Sequence, residues 1–151
     1  MKRNQRTRRS AFTLLEILLV VGILALLAAL VAPNLMKMGD QAKNDIAKSQ
    51  VGRNGNIGRS LQKYRMDVGV YPETDEGLEA LFTIPSSVDE ESGKWKGPYL
   101  EGTPEELKDP WTGEFQYRSP GEFNEDSYDL WSNGPDGKDG TDDDIKNWRE
   151  K

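Results

Sequence analysis

Residues 12–32 read FTLLEILLVVGILALLAALVA and directly follow the basic leader MKRNQRTRRSA at residues 1–11. As a helix that rises about 1.5 Å per residue, this segment would span about 31 Å, which is the thickness of the hydrocarbon core of a bilayer. An apolar run of this length exceeds what the core of a small soluble domain needs. The segment therefore predicts a transmembrane helix, which decides the architecture of the chain.

Charge is distributed unevenly along the sequence. Five of the 20 Lys and Arg residues lie within the first eleven residues, which contain no acid. The other 15 accompany 26 acidic residues, so the chain after the leader has a net charge of −11. Because positive charge before a span holds that end in the cytoplasm, we expect a single-pass protein with its C-terminal domain on the far side. The acidic remainder offers no basic patch for phosphate, which argues against nucleic-acid binding.

The apolar segment contains one charged residue, Glu16. An ionised side chain in the middle of a membrane costs at least about 2.5–3.5 kcal/mol, so this charge requires compensation. A cleaved secretory signal peptide would need a small-x-small site after the apolar run, and the exit ALVAP at residues 29–33 lacks that spacing. An ordinary signal anchor remains an alternative, although it gives no reason for Glu16.

The run AFTLLE at residues 11–16, the apolar helix and PNL at residues 33–35 resemble the class III signal of type IV pilins and type II secretion pseudopilins. The resemblance implies that a prepilin peptidase cuts between Ala11 and Phe12 and methylates the new amino group of Phe12. One departure is that this family favours Gly before the cut, where the chain has Ala11.

The resemblance also makes Glu16 and Pro33 assembly residues. In the family, the glutamate neutralises the amino terminus of a neighbouring subunit. Two unit charges about 4 Å apart attract by about 4 kcal/mol at an effective dielectric constant of about 20. Residues i and i+4 of a helix are neighbours as well, so Glu16 can also pair with the amine of its own Phe12. The sequence leaves both pairings open.

The sequence after the span continues the helical pattern. We expect one helix over residues 12–64, bent or locally loosened near Gly22 and Pro33. The glycines of VGRNGNIG at residues 51–58 each cost about 1 kcal/mol relative to Ala in a helix, and they indicate either a smooth close-approach face or a frayed helix. The apolar stripe at helical spacing comprises Ile46, Gln50, Ile57, Leu61 and Tyr64.

The predicted organisation has four parts. They are a removed leader at residues 1–11, a transmembrane and assembly half of the helix at 12–33, a periplasmic amphipathic half at 34–68, and a globular head at 69–151. The chain has no cysteine, so no disulfide holds this head together.

The head is predicted to contain short elements. Residues 75–81 predict a short helix, with Leu78, Leu81 and Phe82 facing inward. The candidate strands are the aromatic-rich residues 115–118 and 127–132. Eight aromatic residues are expected to cover the helix stripe, namely Trp95, Tyr99, Trp111, Phe115, Tyr117, Tyr128, Trp131 and Trp148.

Further blocks extend the resemblance into the head. They are YRMDVGVYP at residues 64–72, DEGLEAL at 75–81, GPYL at 97–100, KDPW at 108–111 and YRSPG at 117–121. In this order they resemble the major pseudopilin family of type II secretion. The resemblance implies an α+β, type IV pilin-like fold, in which a long N-terminal helix packs on a small C-terminal domain with a short antiparallel sheet and a calcium-binding loop.

An acidic loop, SNGPDGKDGTDDDI, occupies residues 132–145 and has five carboxylates between residues 136 and 144. Ca²⁺ prefers about six to eight oxygen ligands at about 2.3–2.6 Å, and glycines allow backbone carbonyls to turn inward. The spacing does not match an EF-hand. On residue chemistry alone, a solvated acidic turn is favoured over a metal site.

The resemblance reverses that preference, because this loop is similar to the calcium loop of the major pseudopilin family. It implies that Ca²⁺ binds the side chains of Asp136, Asp143 and Asp144 and the backbone carbonyls of Asn133 and Thr141. The reserve ligands are Asp139 and Asp142. Bound calcium is then expected to order the loop and to stiffen the head.

An enzyme is not expected. The chain has neither histidine nor cysteine, the commonest general base and the commonest activated nucleophile. It also lacks a glycine-rich phosphate loop and zinc-ligand spacing. The resemblance instead implies a structural subunit of the periplasmic pseudopilus, the filament that drives export of folded proteins through the outer membrane.

The implied location is the bacterial inner membrane, with the N-terminus cytoplasmic and the C-terminal domain periplasmic. The implied partners are other copies of the chain, minor pseudopilins, the prepilin peptidase, the inner-membrane assembly platform with its ATPase, the outer-membrane secretin, and membrane lipid before assembly. The alternatives are a type IV pilus pilin, a minor pseudopilin, a membrane-anchored calcium-binding protein, or a soluble calcium-binding module released by signal cleavage.

Overall fold

The computed structural model describes residues 13–149 as two compact units, which divide between Asp40 and Gln41. The helices are α1 (Leu14–Val51), α2 (Asn56–Val68) and the 3₁₀ helices Gly77–Leu81, Glu90–Ser92 and Pro104–Glu106. The strands are β1 (Gln116–Arg118), β2 (Asp129–Ser132) and β3 (Ile145–Lys146). The long helix and the strands confirm the predicted α+β class.

The first unit consists of the apolar part of α1. Its 16 large apolar side chains from Leu14 to Met38 are each 47–79% exposed. In the described part of the chain, one helix is long and apolar enough to cross a membrane by length and composition. The predicted apolar span is therefore a helix, and its own unit does not cover its apolar surface.

The second unit, described over residues 41–149, contains the core and is called the head from here on. The end of α1 and one face of α2 pack there against the first 3₁₀ helix, the strands and the loops between them. The buried apolar residues are Ala47, Val51, Ile57, Leu61, Tyr64, Ala80, Leu81, Tyr99, Leu100, Phe115, Tyr128, Leu130 and Ile145. Ser60 of α2 joins this core by donating a hydrogen bond from its Oγ to the carbonyl oxygen of Tyr99, at 2.8 Å.

The single helix predicted over residues 12–64 is wrong at one point, since residues 52–55 separate α1 from α2. A Cβ atom at Gly55 would lie 2.1 Å from the carbonyl oxygen of Ser49, and one at Gly58 would come within 2.6 Å of two backbone oxygens of the turn. Only glycine fits where backbone segments approach this closely. The glycines therefore serve a turn inside the chain, and not a smooth outer face.

This interruption changes which face of α1 is buried. Ala47 and Val51 are buried, whereas Ile46, predicted to face inward, is 52% exposed. That prediction assumed the constant rotation per residue of an unbroken helix, and the non-helical turn resets the rotation. The remaining stripe is confirmed at Ile57, Leu61 and Tyr64, and Gln50 is half-buried.

The sheet is antiparallel, with the strand order β1–β2–β3. Tyr117 pairs with Leu130 across β1 and β2, and Ser132 pairs with Ile145 across β2 and β3. Both predicted strand segments contain strands, but β3 was not predicted. Its two residues are too few to show alternation, and they directly follow a run of acids.

The short helix predicted at residues 75–81 is present as the 3₁₀ helix Gly77–Leu81. Leu81 is fully buried, and Leu78 and Phe82 are half-buried against the core. The inward orientation predicted for these three side chains is confirmed.

Two of the eight aromatic residues expected over the helix stripe lie elsewhere. Phe123 stacks on Trp148 with ring centroids 4.6 Å apart, and Trp131 meets Trp148 edge-on at 5.7 Å. Because side chains alternate along a strand, Trp131 lies on the opposite face of β2 from the buried Leu130. The predicted placement of Trp131 and Trp148 is therefore wrong, whereas the other six contribute to the core or pack against it.

Candidate functional sites

The first candidate site is the start of α1. The backbone N–H of Glu16 donates to the carbonyl oxygen of Thr13 at 3.1 Å and lies 3.2 Å from the Thr13 hydroxyl. These contacts satisfy an amide that the first helical turn would otherwise leave unpaired. The Glu16 side chain is exposed, and no lysine or arginine of residues 13–149 lies within ion-pair distance of it.

The predicted processing site, Ala11 and Phe12, lies outside the described residues. Cleavage there, methylation of Phe12 and both pairings of Glu16 accordingly stay predictions. α1 is continuous through Gly22 and Pro33, so the helix is not interrupted there, and the expected bend stays a prediction.

The second candidate site is the acidic loop, in which a single hydroxyl brings together the three predicted ligand side chains. The Oγ of Thr141 donates to Oδ1 of Asp143 at 2.6 Å. Oδ1 of Asp136 lies 3.4 Å from the same hydroxyl, and Oδ1 of Asp144 lies 3.5 Å from it. Residues separated by up to eight positions in the sequence are thus adjacent in space.

Backbone amides of the loop also point at these carboxylates. The N–H of Asp136 donates to Oδ2 of Asp143 at 3.1 Å, and the N–H of Gly140 donates to Oδ2 of Asp144 at 2.9 Å. The Thr141 hydroxyl lowers the pKa of the Asp143 carboxyl, against a smaller opposing effect of desolvation, and the Asp136 amide adds to the lowering. The Asp143 carboxylate is therefore stabilised in its ionised form.

The two reserve ligands and Asp144 differ in their surroundings. Oδ1 of Asp139 accepts a hydrogen bond from the indole Nε1 of Trp131 at 2.8 Å, which engages this carboxylate outside the Thr141 cluster. The Asp144 side chain is only 1% exposed, and Nζ of Lys146 lies 3.7 Å from its Oδ2. Asp142 is exposed. Asp139 is therefore hydrogen-bonded to Trp131, whereas the three predicted ligand side chains lie around the Thr141 hydroxyl.

Asn133 and Thr141, which were expected to offer backbone carbonyls, also carry side-chain oxygens. The Thr141 carbonyl accepts the N–H of Asp144 at 3.3 Å. Oδ1 of Asn133 is buried and accepts no hydrogen bond within the part of the chain that the structure describes. A buried oxygen without a donor is costly, and it is the type of ligand that a hard cation takes.

The donor chemistry of the loop therefore fits Ca²⁺. Three carboxylates lie around the Thr141 hydroxyl, and the loop also contains a buried amide oxygen without a donor, Oδ1 of Asn133. Among residues 13–149, however, no three acidic side chains are arranged tightly enough to form a metal site by themselves. The loop offers suitable oxygens, but several of these oxygens already accept hydrogen bonds from other groups of the loop.

No sequence pattern indicated the buried network that supports this loop. Asp109 is 6% exposed, and Ser132, the last residue of β2, is fully buried. The Ser132 hydroxyl donates to Oδ2 of Asp109 and accepts the N–H of Gly134 at 3.1 Å. The KDPW block contained Asp109, but a contact between residues 23 positions apart has no local pattern that would reveal it.

Comparison with known proteins places these features in a family. The model for type II secretion system protein G matches residues 34–148, and the prokaryotic N-terminal methylation motif matches residues 6–32. The chain is 41% identical over 147 residues to type II secretion system core protein G of Aeromonas hydrophila, covering 97% of both chains. It is 42% identical over 147 residues to the protein of the same name from Pseudomonas aeruginosa, covering 95% of this chain and 98% of the relative.

A solved structure supports the fold. The crystal structure of the major pseudopilin from the type 2 secretion system of enterohaemorrhagic Escherichia coli matches with a TM-score of 0.61 and 36% identity, covering 77% of this chain and 91% of that one. The predicted pilin-like architecture and the predicted family are both confirmed. The chain belongs to the type II secretion system protein G family.

Proposed function

We propose that this protein is the major pseudopilin of a type II secretion system, the structural subunit that polymerises into the periplasmic pseudopilus. The observation that carries the proposal is the helix α1, whose apolar side chains from Leu14 to Met38 remain exposed on a chain of the protein G family. An uncovered apolar surface of this size requires a partner outside the chain. Lipid covers it before assembly, and the helices of other copies cover it in the filament.

Assembly needs a directional interaction besides apolar contact. Lipid tails are as apolar as leucine, so the exchange of lipid contacts for helix contacts contributes little net driving force. Glu16 supplies direction, because its carboxylate attracts the amino terminus that processing creates on an adjacent copy. Contacts between heads add to this attraction.

The remaining partners and the location follow from the same role. The proposed location is the inner membrane, with the N-terminus cytoplasmic and the head periplasmic, in accord with the five basic residues of the leader. The proposed partners are the prepilin peptidase, minor pseudopilins, the assembly platform with its ATPase, and the outer-membrane secretin. The absence of enzymatic activity stays a prediction, and it accords with a family of structural subunits.

The variant Glu16→Ala tests the assembly role. We expect the variant to be inserted and cleaved like the wild type but to form no filaments, because the attraction to the neighbouring amine is lost. Glu125→Ala, which removes an exposed carboxylate of the head, is the matched control and should assemble. Mass spectrometry of the membrane-extracted protein measures processing, and electron microscopy of sheared filaments measures assembly.

Two results would contradict the proposal. If Glu16→Ala forms filaments as abundantly as the wild type, the carboxylate does not direct assembly. A mature protein that retains its leader, or that lacks the apolar helix, would favour an anchored or a soluble calcium-binding protein.

The second part of the proposal is that the head binds Ca²⁺ through the acidic loop. Asp136, Asp143 and Asp144 would hold the ion with their side chains, and Asn133 and Thr141 would contribute further oxygens. The ion supplies positive charge to carboxylates that otherwise repel one another. The convergence of three carboxylates on the Thr141 hydroxyl and the unpaired Oδ1 of Asn133 support this assignment.

The pair Asp143→Asn and Asp139→Asn tests the calcium site. Ca²⁺ should raise the melting temperature of the wild type, since a ligand that binds the folded state stabilises it. Asp143→Asn should weaken calcium binding by about tenfold or more, because it removes a charged ligand. Asp139→Asn should change binding little, because Asp139 is engaged by Trp131. Calorimetric titration with CaCl₂ gives both affinities, and a wild type without a calcium-dependent rise in melting temperature would exclude the site.

A further inference from the structure

The acidic loop is attached to the head through the hydroxyl of Ser132. This side chain is fully buried at the end of β2, two residues before the tight turn at Gly134. Its Oγ–H donates to Oδ2 of Asp109, and its oxygen accepts the N–H of Gly134 at 3.1 Å. One hydroxyl thus connects a distant carboxylate to the first turn of the loop.

The position of the Asp109 carboxylate is itself fixed. Its Oδ1 accepts the backbone N–H groups of Trp111 and Gly113 at 2.9 and 2.7 Å. The N–H of Asp109 donates to the carbonyl oxygen of Gly113 at 2.9 Å and so closes a turn over these residues. Lys108 and Glu114 pair across its base with 2.8 Å between Nζ and Oε1. A buried carboxylate held by three donors is a rigid anchor, because any displacement would leave charge unsatisfied.

Gly134 transmits this position to a predicted calcium ligand. Its φ of +63° and its close approach to the chain exclude larger residues, since a Cβ atom would lie 2.3 Å from the carbonyl oxygen of Asp143. The backbone of Gly134 therefore packs directly against the backbone of Asp143. Asp109 fixes Ser132, Ser132 fixes Gly134, and Gly134 restrains the position of Asp143.

We propose that Asp109 and Ser132 are positioning residues for the calcium loop, so that the turn at residues 108–114 sets the affinity of a site to which it contributes no ligand. This inference rests on the proposed binding of Ca²⁺. Ligands held in place before the ion arrives lose less conformational freedom on binding. Outer partners of metal ligands typically change metal affinity by about 10–100-fold when they are removed.

The test compares two buried serines in the full-length chain, purified in detergent micelles. Ser132→Ala removes the link to Asp109 and leaves the N–H of Gly134 without its acceptor. Ser60→Ala is the control, because Ser60 is also buried and also donates to a distant group, the carbonyl oxygen of Tyr99, which does not belong to the loop. Calorimetric titration with CaCl₂ measures affinity, and melting without calcium measures the stability of the head.

We expect Ser132→Ala to weaken calcium binding by about tenfold or more, and Ser60→Ala to leave the affinity within about twofold of the wild type. Both variants should melt at lower temperature without calcium, since each loses a buried hydrogen bond. Ser132→Cys keeps a donor at the same position, although the thiol is somewhat larger than the hydroxyl and forms weaker hydrogen bonds. It should fold and should bind with intermediate affinity.

The possible failures are distinguishable. If the wild type binds calcium and Ser132→Ala and Ser132→Cys bind it equally well, the role of Ser132 is only structural and the inference is overturned. If the wild type shows neither binding heat nor a calcium-dependent melting shift, the calcium site is excluded and the positioning role with it.

Discussion

The apolar part of α1 and the head bury apolar surface in opposite ways. In the head, Leu61, Leu81 and Leu130 are completely buried by other parts of the same chain. In α1, the large apolar residues from Leu14 to Met38 are at least 47% exposed. The sequence of the head therefore contains the partners that its core needs. The apolar part of α1 finds no such partners within its own unit, in accord with the proposed burial by lipid or by other copies.

The difference in burial is best tested with two leucines. Leu61→Ala should lower the free energy of unfolding of the head by about 2–5 kcal/mol, because it leaves a cavity in the core. Leu24→Ala, at a position in α1 that is 59% exposed, should change this free energy of unfolding by less than about 0.5 kcal/mol. Denaturant unfolding in micelles, followed by tryptophan emission, measures both. Equal losses would show that the helix stabilises the head, and the distinction between the regions would fail.

Two substitutions of glycine by alanine test the same comparison, with a smaller expected loss of stability. Gly58→Ala should destabilise the head by about 1–3 kcal/mol, since the new methyl group would lie 2.6 Å from backbone oxygens. Gly39→Ala is the control, because apart from its chain neighbours and the backbone of its own helix no atom lies within 4 Å of its Cβ position, and alanine favours a helix. The same denaturant unfolding gives both values. A Gly58→Ala variant as stable as the wild type would mean that the turn at residues 52–55 relaxes freely.

The sequence predicted the features that neighbouring residues determine. It did not predict the features that depend on contacts between distant segments. The apolar run, the short helix near Leu81 and the two longer strand segments were found, because each is encoded by neighbouring residues. At residues 52–55 the glycines left a frayed helix open as an alternative, but a turn that separates two helices was not predicted. Its glycines are explained by backbone atoms that meet only after folding, and the error carried over to the orientation of Ile46.

The acidic loop shows the same limit. The resemblance singled out Asp136, Asp143 and Asp144, and the structure places them around one hydroxyl. The central role of the Thr141 side chain had no counterpart in the pattern. The attachment through Asp109 was also hidden, because it joins two segments that are far apart in the sequence.

Raising the pH should lower the stability of the head alone, and this is the smallest of the expected effects. All five tyrosines lie in the head, and burial raises the pKa of Tyr64 and of Tyr128 to about 12. An unfolded tyrosine titrates near about pH 10, so above that pH the unfolded chain loses protons that the folded head still holds. Stability is therefore complete below about pH 10 and declines as the pH rises towards about 12.

Melting in micelles at pH 9 and at pH 10.5 should show a loss of a few degrees for the head. The circular dichroism of α1 should persist, because residues 14–40 contain no tyrosine. A replacement of Tyr128 by phenylalanine should reduce this loss, since it removes one of the shifted groups. If α1 melts together with the head on raising the pH, the two regions fold as one cooperative unit.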